Sequence, residues 1–363
     1  MAAGILQAQE ATPTPAATPS ASAAPSSSPS ASPVANASAT PDPAVEAAAL
    51  AAMKAIQDSL IIVTEKEGAG SGFVGVIGGV PMLITNAHVI AGATQLQMRL
   101  LSSAALQPGK GRLAFGHDVA AFEAPAGTKG LEISNDVAKE VAIGDAVVIC
   151  GNSLGGSVVT ELKGKVVGIG PDVVEVDAPF VPGNSGSPIY HVKSGKVIGI
   201  ATYITTEKHD KWSKDSNVAE MRRFGYRLDT IKRWDDLNWP MFQSEAATVN
   251  GIKSFTEDYF DLWRELKKKG SISGVTSVNP RIQRHLRDLQ RAAQQSRGGR
   301  DFDKAVVSFL WDLKSEAKQE FLPGRPVPRY WFTNHEWNEQ KEMREEIGKD
   351  LDSDISERNA SSY

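Results

Sequence analysis

Between about residue 47 and residue 240 the apolar positions come in short runs broken by glycine, a pattern of strands and tight turns rather than helices. Leu60-Ile61-Ile62-Val63 leads into Gly70-Ser71-Gly72-Phe73-Val74-Gly75-Val76. Gly78-Gly79 then predicts a tight hairpin turn into Pro81-Met82-Leu83-Ile84-Thr85. Further strands are predicted at 95–100, 118–123, 145–150, 157–169, 173–177 and 196–204. So many short strands with closely spaced turns imply a sandwich or barrels, and about 190 residues suits two small barrels.

After about residue 240 the period changes. Tyr259, Phe260, Trp263 and Leu266 recur at helical spacing. Asn279-Pro280 reads as a cap and a first-turn proline opening a helix through Ile282, Leu286 and Leu289, until Gly298-Gly299. A third helix runs through Val306, Phe309, Leu310 and Leu313 and stops before the proline-rich stretch 323–328. The charged segment 335–351 is a further helical candidate. The chain thus divides into residues 1–46 as a disordered tail, 47–240 as a β-domain and 241–363 as a helical C-terminal region.

Composition changes this picture at the N-terminus. Residues 12 to about 44 are almost entirely Ala, Pro, Ser and Thr, which cannot bury enough surface to offset the entropy of ordering. Ahead of them, Ala2-Ala3-Gly4-Ile5-Leu6 followed by small residues reads either as the end of an export signal or as an ordinary N-terminus. The tether tilts the expected location towards the periplasm or the exterior. The net charge of -4 over 363 residues gives no global basic character for nucleic acid, and no uncharged apolar run is long enough to span a bilayer. Cys150 is the single cysteine, so no intrachain disulfide can form.

Candidate chemistry centres on Pro182-Gly183-Asn184-Ser185-Gly186-Ser187-Pro188. A serine hydroxyl is a poor nucleophile unless a base takes its proton, a third group orients that base, and donors face the developing oxyanion. Ser185 sits between glycines that allow the N–H groups of Gly183 and Ser185 to converge. Alone, such a segment reads equally as an ordinary β-turn. Its company matters: Ile84-Thr85-Asn86-Ala87-His88-Val89 places a histidine just past an apolar strand, and Asp118 opens Asp118-Val119-Ala120-Ala121-Phe122. The order His, Asp, Ser matches the triad order of chymotrypsin.

These segments resemble the trypsin-like serine peptidases, and within them the bacterial HtrA/Do-like branch. Gly70-Ser71-Gly72-Phe73, Thr85-Asn86-Ala87-His88-Val89, Asp118-Val119-Ala120, Gly151-Asn152-Ser153-Leu154-Gly155, Asp177-Ala178 with Pro182-Gly183-Asn184-Ser185-Gly186, and Val197-Ile198-Gly199-Ile200 follow that branch's motifs in order, over roughly residues 60–205. The resemblance implies a mainly β fold, a double six-stranded β-barrel with an α-helical C-terminal extension. It also implies His88, Asp118 and Ser185 as the catalytic triad, and the amides of Gly183 and Ser185 as the oxyanion hole. Thr202 matches a small hydroxyl residue that touches the aspartate. Tyr203 and Ile204 match the strand that pairs with an extended substrate, and Pro179 and Phe180 the pocket floor.

Departures qualify it. Ser153 stands where the branch has proline and Ser187 where most members have glycine. Ser187 resembles the glutamyl endopeptidases, but Gly199-Ile200-Ala201-Thr202-Tyr203-Ile204 lacks the histidine with which those enzymes read an acidic side chain. No PDZ module is recognisable. Pro179, Phe180 and Ile204 carry no charge, so an apolar residue before the cut is expected. Asn184 cannot form the ion pair that matures a trypsin-type zymogen, so no proteolytic activation is expected.

Other residues offer less. Cys150 reads as core. No histidine pair has metal-ligand spacing, and no cofactor is expected. Arg281, Arg284, Arg287 and Arg291 share a helical face, read as solvated with a protein partner as the alternative. The reading is a serine endopeptidase acting on polypeptides. Its rivals are a catalytically idle peptide-binding scaffold and a helical interaction module that the protease domain regulates.

Overall fold

The computed structural model describes residues 43–64, 69–93, 96–101, 105–153, 159–207, 220–269, 276–277, 279–295 and 299–361. The apolar stub and nearly all of the tether lie outside them. The first helix, α1 (Pro43–Ser59), was not anticipated: its alanine-rich sequence merges with the low-complexity run before it. Ile56 anchors it, fully buried against both halves of the β-domain.

Next come β1 (Leu60–Thr64), β2 (Ala69–Ile77), β3 (Val80–Thr85), the short α2 (Ala87–Ala91), β4 (Gln97–Leu100) and β5 (Ala105–Leu106). They are followed by β6 (Gly111–Ala114), β7 (Ala120–Glu123), β8 (Leu131–Glu132), α3 (Val137–Glu140) and β9 (Ala146–Gly151). The second half holds β10 (Thr160–Ile169), β11 (Val173–Val176), β12 (Pro188–His191), β13 (Lys196–Glu207), β14 (Glu220–Tyr226) and β15 (Trp234–Asp236). The β2–β3 hairpin turns as expected at Gly78 and Gly79, whose φ angles of 59° and 82° fit a type I′ turn.

The second set of strands closes into a six-stranded barrel, β10-β11-β14-β13-β12-β9. The first set is a nine-stranded sheet, ordered β15-β6-β7-β3-β2-β1-β4-β5 with β8 alongside β2. Among the described residues this path keeps two ends, because β5, with two residues, carries the ladder no further. One apolar cluster fills the closed barrel, including Val147, Val174, Ile189 and Ile198. Another lies between barrel and sheet, where Phe73 and Ile84 meet Val148, Cys150 and Ile200.

The mainly β core is followed by four helices: α4 (Trp239–Lys269), α5 (Pro280–Gln295), α6 (Gly299–Ala317) and α7 (Trp331–Ser361). Asn279 caps α5 as expected, its side-chain oxygen accepting from Arg281 N at 3.0 Å. Tyr259 and Trp263 join Ile282, Leu286, Leu289, Val306, Phe309, Leu310, Leu313, Leu351 and Ile355 in a helical core. The Leu266 side chain lies outside the described residues. The opposite ends of α4 and α7 serve another core: Phe242, Tyr330 and Phe332 pack with Val89 and Ile90 of α2 and with Val63 and Leu83 of the sheet. The arginine face of α5 is not simply solvated, since Arg281 pairs with Glu316 and Glu320 of the neighbouring helix and turn.

Candidate active site

The strand β3 ends at Thr85, and α2 begins two residues later with His88 in its first turn. Asn86 at the helix N-cap does not cap with its side chain. Its amide nitrogen donates instead to the Asp118 carbonyl at 2.7 Å and to Thr202 Oγ1 at 3.1 Å. That contact fixes the Asp118 backbone against α2. The Asp118 carboxylate then serves His88 twice: Oδ1 accepts from the His88 backbone N–H at 2.9 Å, and Oδ2 lies 2.5 Å from Nδ1.

A proton on Nδ1 donated to Asp118 leaves Nε2 as the acceptor. Burial works against a charged His88. The Asp118 charge and hydrogen bond, helped by Glu336 and opposed by Lys253, outweigh it and hold the ring above its ordinary pKa. Two groups near His88 therefore come from the C-terminal helices, Glu336 from α7 and Lys253 from α4. Nothing in the sequence motifs pointed to either.

Ser185 lies in the turn between β11 and β12. Its carbonyl accepts from Ser71 N at 2.9 Å, and the Ser71 carbonyl accepts from Thr85 Oγ1 at 2.7 Å. The serine turn is thereby tied to the strand that delivers His88. Ser71 Oγ donates to the Gly183 carbonyl and accepts from Asn152 N, both at 2.8 Å. Asn184 N donates to the Val181 carbonyl at 3.0 Å, and Asn184 Oδ1 accepts from Val181 N at 3.0 Å and from Ser153 Oγ at 3.1 Å.

Gly183 takes a φ of 91°, so this is a tight turn with glycine at its third position. The N–H groups of Gly183 and Ser185 have no acceptor among the described residues. Gly186 is obligatory: at φ 90° a Cβ would sit 1.9 Å from the Ser71 carbonyl oxygen. The Ser185 hydroxyl makes no hydrogen bond to His88 among the described residues. Hydroxyl–imidazole bonds are often long before a substrate arrives.

The residues expected on the substrate side distribute unevenly. Thr202 Oγ1 donates to the Ile200 carbonyl at 2.9 Å and meets Asp118 only through Asn86. Tyr203 stacks on Phe224, with ring centroids 5.2 Å apart. Pro179 is exposed, whereas Phe180 is only 2% exposed and belongs to the barrel core, with Ile204 packed against the same core.

Beside them lies a residue that the sequence motifs did not single out. Arg223 of β14 stands opposite both Ile204 and Val176, and its Nε donates to the Phe180 carbonyl at 3.0 Å. Cys150 is fully buried and its thiol is pushed up to about 12, first by burial and then by Glu161, so it is no thiolate nucleophile.

Comparison with known proteins agrees with this architecture. Residues 70–200 match the model of the trypsin-like peptidase domain. That segment of the chain is similar to trypsin-like peptidase domains. Within that class its likeness runs to the HtrA/Do-like serine peptidases. The chloroplastic Protease Do-like 1 of Arabidopsis thaliana is 30% identical over 158 residues, 40% of this chain and 35% of that protein. A probable periplasmic serine endoprotease DegP-like of Rhizobium meliloti (strain 1021) is 32% identical over 129 residues, 34% of this chain and 25% of that one.

The chain thus spans about a third or less of the length of these curated relatives. Among solved structures, a serine endoprotease from Yersinia pestis aligns at 23% identity and TM-score 0.35, covering 42% of this chain and 56% of its own. The HtrA-type protease AlgW with tripeptide aligns at 23% identity and TM-score 0.39, covering 50% and 60%.

Proposed function

We propose that the chain is a serine endopeptidase that hydrolyses exposed, extended polypeptide through an acyl-enzyme. In this reading Ser185 attacks the carbonyl carbon and His88 Nε2 takes the hydroxyl proton. Asp118 holds the imidazole in the tautomer that leaves Nε2 free and stabilises the imidazolium. The amides of Gly183 and Ser185 receive the oxyanion. His88 returns the proton to the leaving amine, and water then releases the acyl group by the same steps.

The observation that carries this reading is the double engagement of the Asp118 carboxylate by His88. A peptide-binding scaffold has no need for an oriented, deprotonatable imidazole. The name of the Rhizobium meliloti relative, a probable periplasmic endoprotease, together with the tether, supports a periplasmic or secreted location. No helix among the described residues is long and apolar enough to cross a membrane.

The unengaged Ser185 hydroxyl is the observation that favours the idle scaffold instead. A fluorophosphonate probe separates the two. The full chain is expected to label covalently and to cleave casein, with both lost in Ser185→Ala and in His88→Ala. An unlabelled wild-type chain that retains its fold decides for the scaffold.

A further inference from the structure

We propose that Arg223 makes the substrate pocket selective for an acidic side chain, aspartate or glutamate, at the residue before the cut. The inference rests on the protease reading above. Read from the motifs alone, the pocket comprises Pro179, Phe180 and Ile204 and carries no charge. The strand β14 changes that.

Val176, Arg223 and Ile204 stand side by side across β11, β14 and β13, and directly opposed residues present their side chains to the same face of a sheet. On that face Val176 is core and Ile204 packs against the core. Arg223 therefore extends from the barrel interior towards the end of the barrel where Phe180 lies. The 3.0 Å bond from Nε to the Phe180 carbonyl holds it there. Its neighbour Arg222 has the opposite side-chain direction and is held by Glu175, at 2.8 Å. Alternation along one strand thus gives two adjacent arginines different roles.

Arg223 also differs from its neighbours in what it lacks. Arg222 pairs with Glu175, and Arg227 with Asp229 at 2.6 Å. Arg223 has no carboxylate partner among the described residues. Its one further hydrogen bond among the described residues runs from Nη2 to the Met221 sulfur at 3.0 Å. Nη1 is left with no partner among the described residues, on a guanidinium whose direction is already fixed.

A carboxylate side chain entering beside Phe180 and Ile204 supplies the missing acceptor, and a fixed guanidinium suits its two oxygens. A leucine there would take water from the cation and return nothing. A lysine would meet like charge. Selectivity then needs no histidine on β13, the feature whose absence weighed against an acidic preference in the sequence.

The test uses the full chain. Peptides of one sequence, ending in Glu, Asp, Leu or Lys, mimic the acyl half of a cleaved substrate and are titrated against Ser185→Ala. Glu or Asp is expected to bind at least about tenfold more tightly than Leu, with Lys weakest. The same order is expected for kcat/KM of wild-type chain on internally quenched peptides.

Arg223→Gln should collapse the Glu-to-Leu ratio towards unity, Arg223→Lys should keep the order, and Arg223→Glu should favour the Lys peptide. Equal binding of Glu and Leu peptides, or a Leu preference, overturns the proposal. So does an unchanged ratio in Arg223→Gln. The binding arm needs no turnover. A chain that fails to react with the fluorophosphonate therefore tells against the protease reading while the pocket is still measured.

Discussion

A single hydroxyl, that of Ser71, links the strand ahead of His88 to the loop ahead of Ser185. It is fully buried and bonded to the Gly183 carbonyl and to Asn152 N, while its own backbone holds Ser185. Ser71→Ala leaves both partners without water or replacement, which costs about 1–3 kcal/mol for a buried group. The unfolding free energy should fall by that amount. The rate of fluorophosphonate labelling should fall further than the loss of folded protein explains, because the Gly183 peptide loses its anchor. A variant with lower stability but a wild-type labelling rate would restrict Ser71 to structure.

Residues of this kind show where the sequence runs out. His88, Asp118 and Ser185 could be nominated because each sits in a local motif with recognisable neighbours. Ser71 lay in plain view inside Gly70-Ser71-Gly72, but its partners Gly183 and Asn152 are distant in the chain, so only folding reveals its task. Thr202 shows the reverse. Its position was read correctly on the strand, yet Asn86 intervenes between it and Asp118.

At the level of elements, α7 contributes most that was unforeseen. Tyr330 just before it and Phe332 in its first turn share a core with Ala87, Val89 and Ile90, the neighbours of His88. This brings Glu336 into the electrostatic neighbourhood of both His88 and Asp118. Around Glu336 stand Lys253 of α4, Glu339 and His335 of α7, Asp118 and His88, with His335 paired to Glu339 at 3.3 Å. Burial foremost raises the Glu336 carboxyl above its usual range.

The sign for activity follows from which form of His88 works. In the proposed protease the base must be neutral, so turnover should rise as pH climbs through the His88 pKa, which is raised from the ordinary 6.5. Glu336→Gln removes a negative charge that favours the imidazolium. The rising limb of kcat/KM should therefore move to lower pH, whereas Lys253→Met should move it to higher pH. Unmoved limbs in both variants would show that α7 and α4 do not act on His88.

The strand β14 shows why Arg223 was not among the residues read from the sequence. Its sequence, Glu220-Met221-Arg222-Arg223-Phe224-Gly225-Tyr226, has a charged pair where alternation would show an apolar residue, so no strand was predicted there. With it went Arg223. The strands β6, β12 and β15 escaped for a related reason, being three or four residues long.

On the scale of the whole molecule, the helical region divides its allegiance. Its far half has a core of its own, while Phe242, Tyr330 and Phe332 complete the core of the first sheet. Residue 240, where the period changes, lies next to Phe242 of that shared core. Phe242 is fully buried and Tyr330 4% exposed, and losing one such aromatic from a core typically costs about 3–5 kcal/mol. Deleting residues 241–363 should lower the melting temperature sharply and bring aggregation, measured by thermal unfolding and size-exclusion chromatography. A truncated chain that stays monodisperse and melts as the full chain does would make the helices a detachable appendage.

The turn before Ser185 is shaped by Asn184, a neutral amide bonded to Val181 and Ser153, rather than by a buried ion pair that a newly cut terminus could supply. On the proposed reading, folding alone would complete it. For the proposed protease, hydrolytic competence would arrive with the last folding step, with no irreversible maturation to delay it. Restraint would then belong to geography and traffic: where the molecule is kept, and which unfolded segments are permitted to reach its cleft.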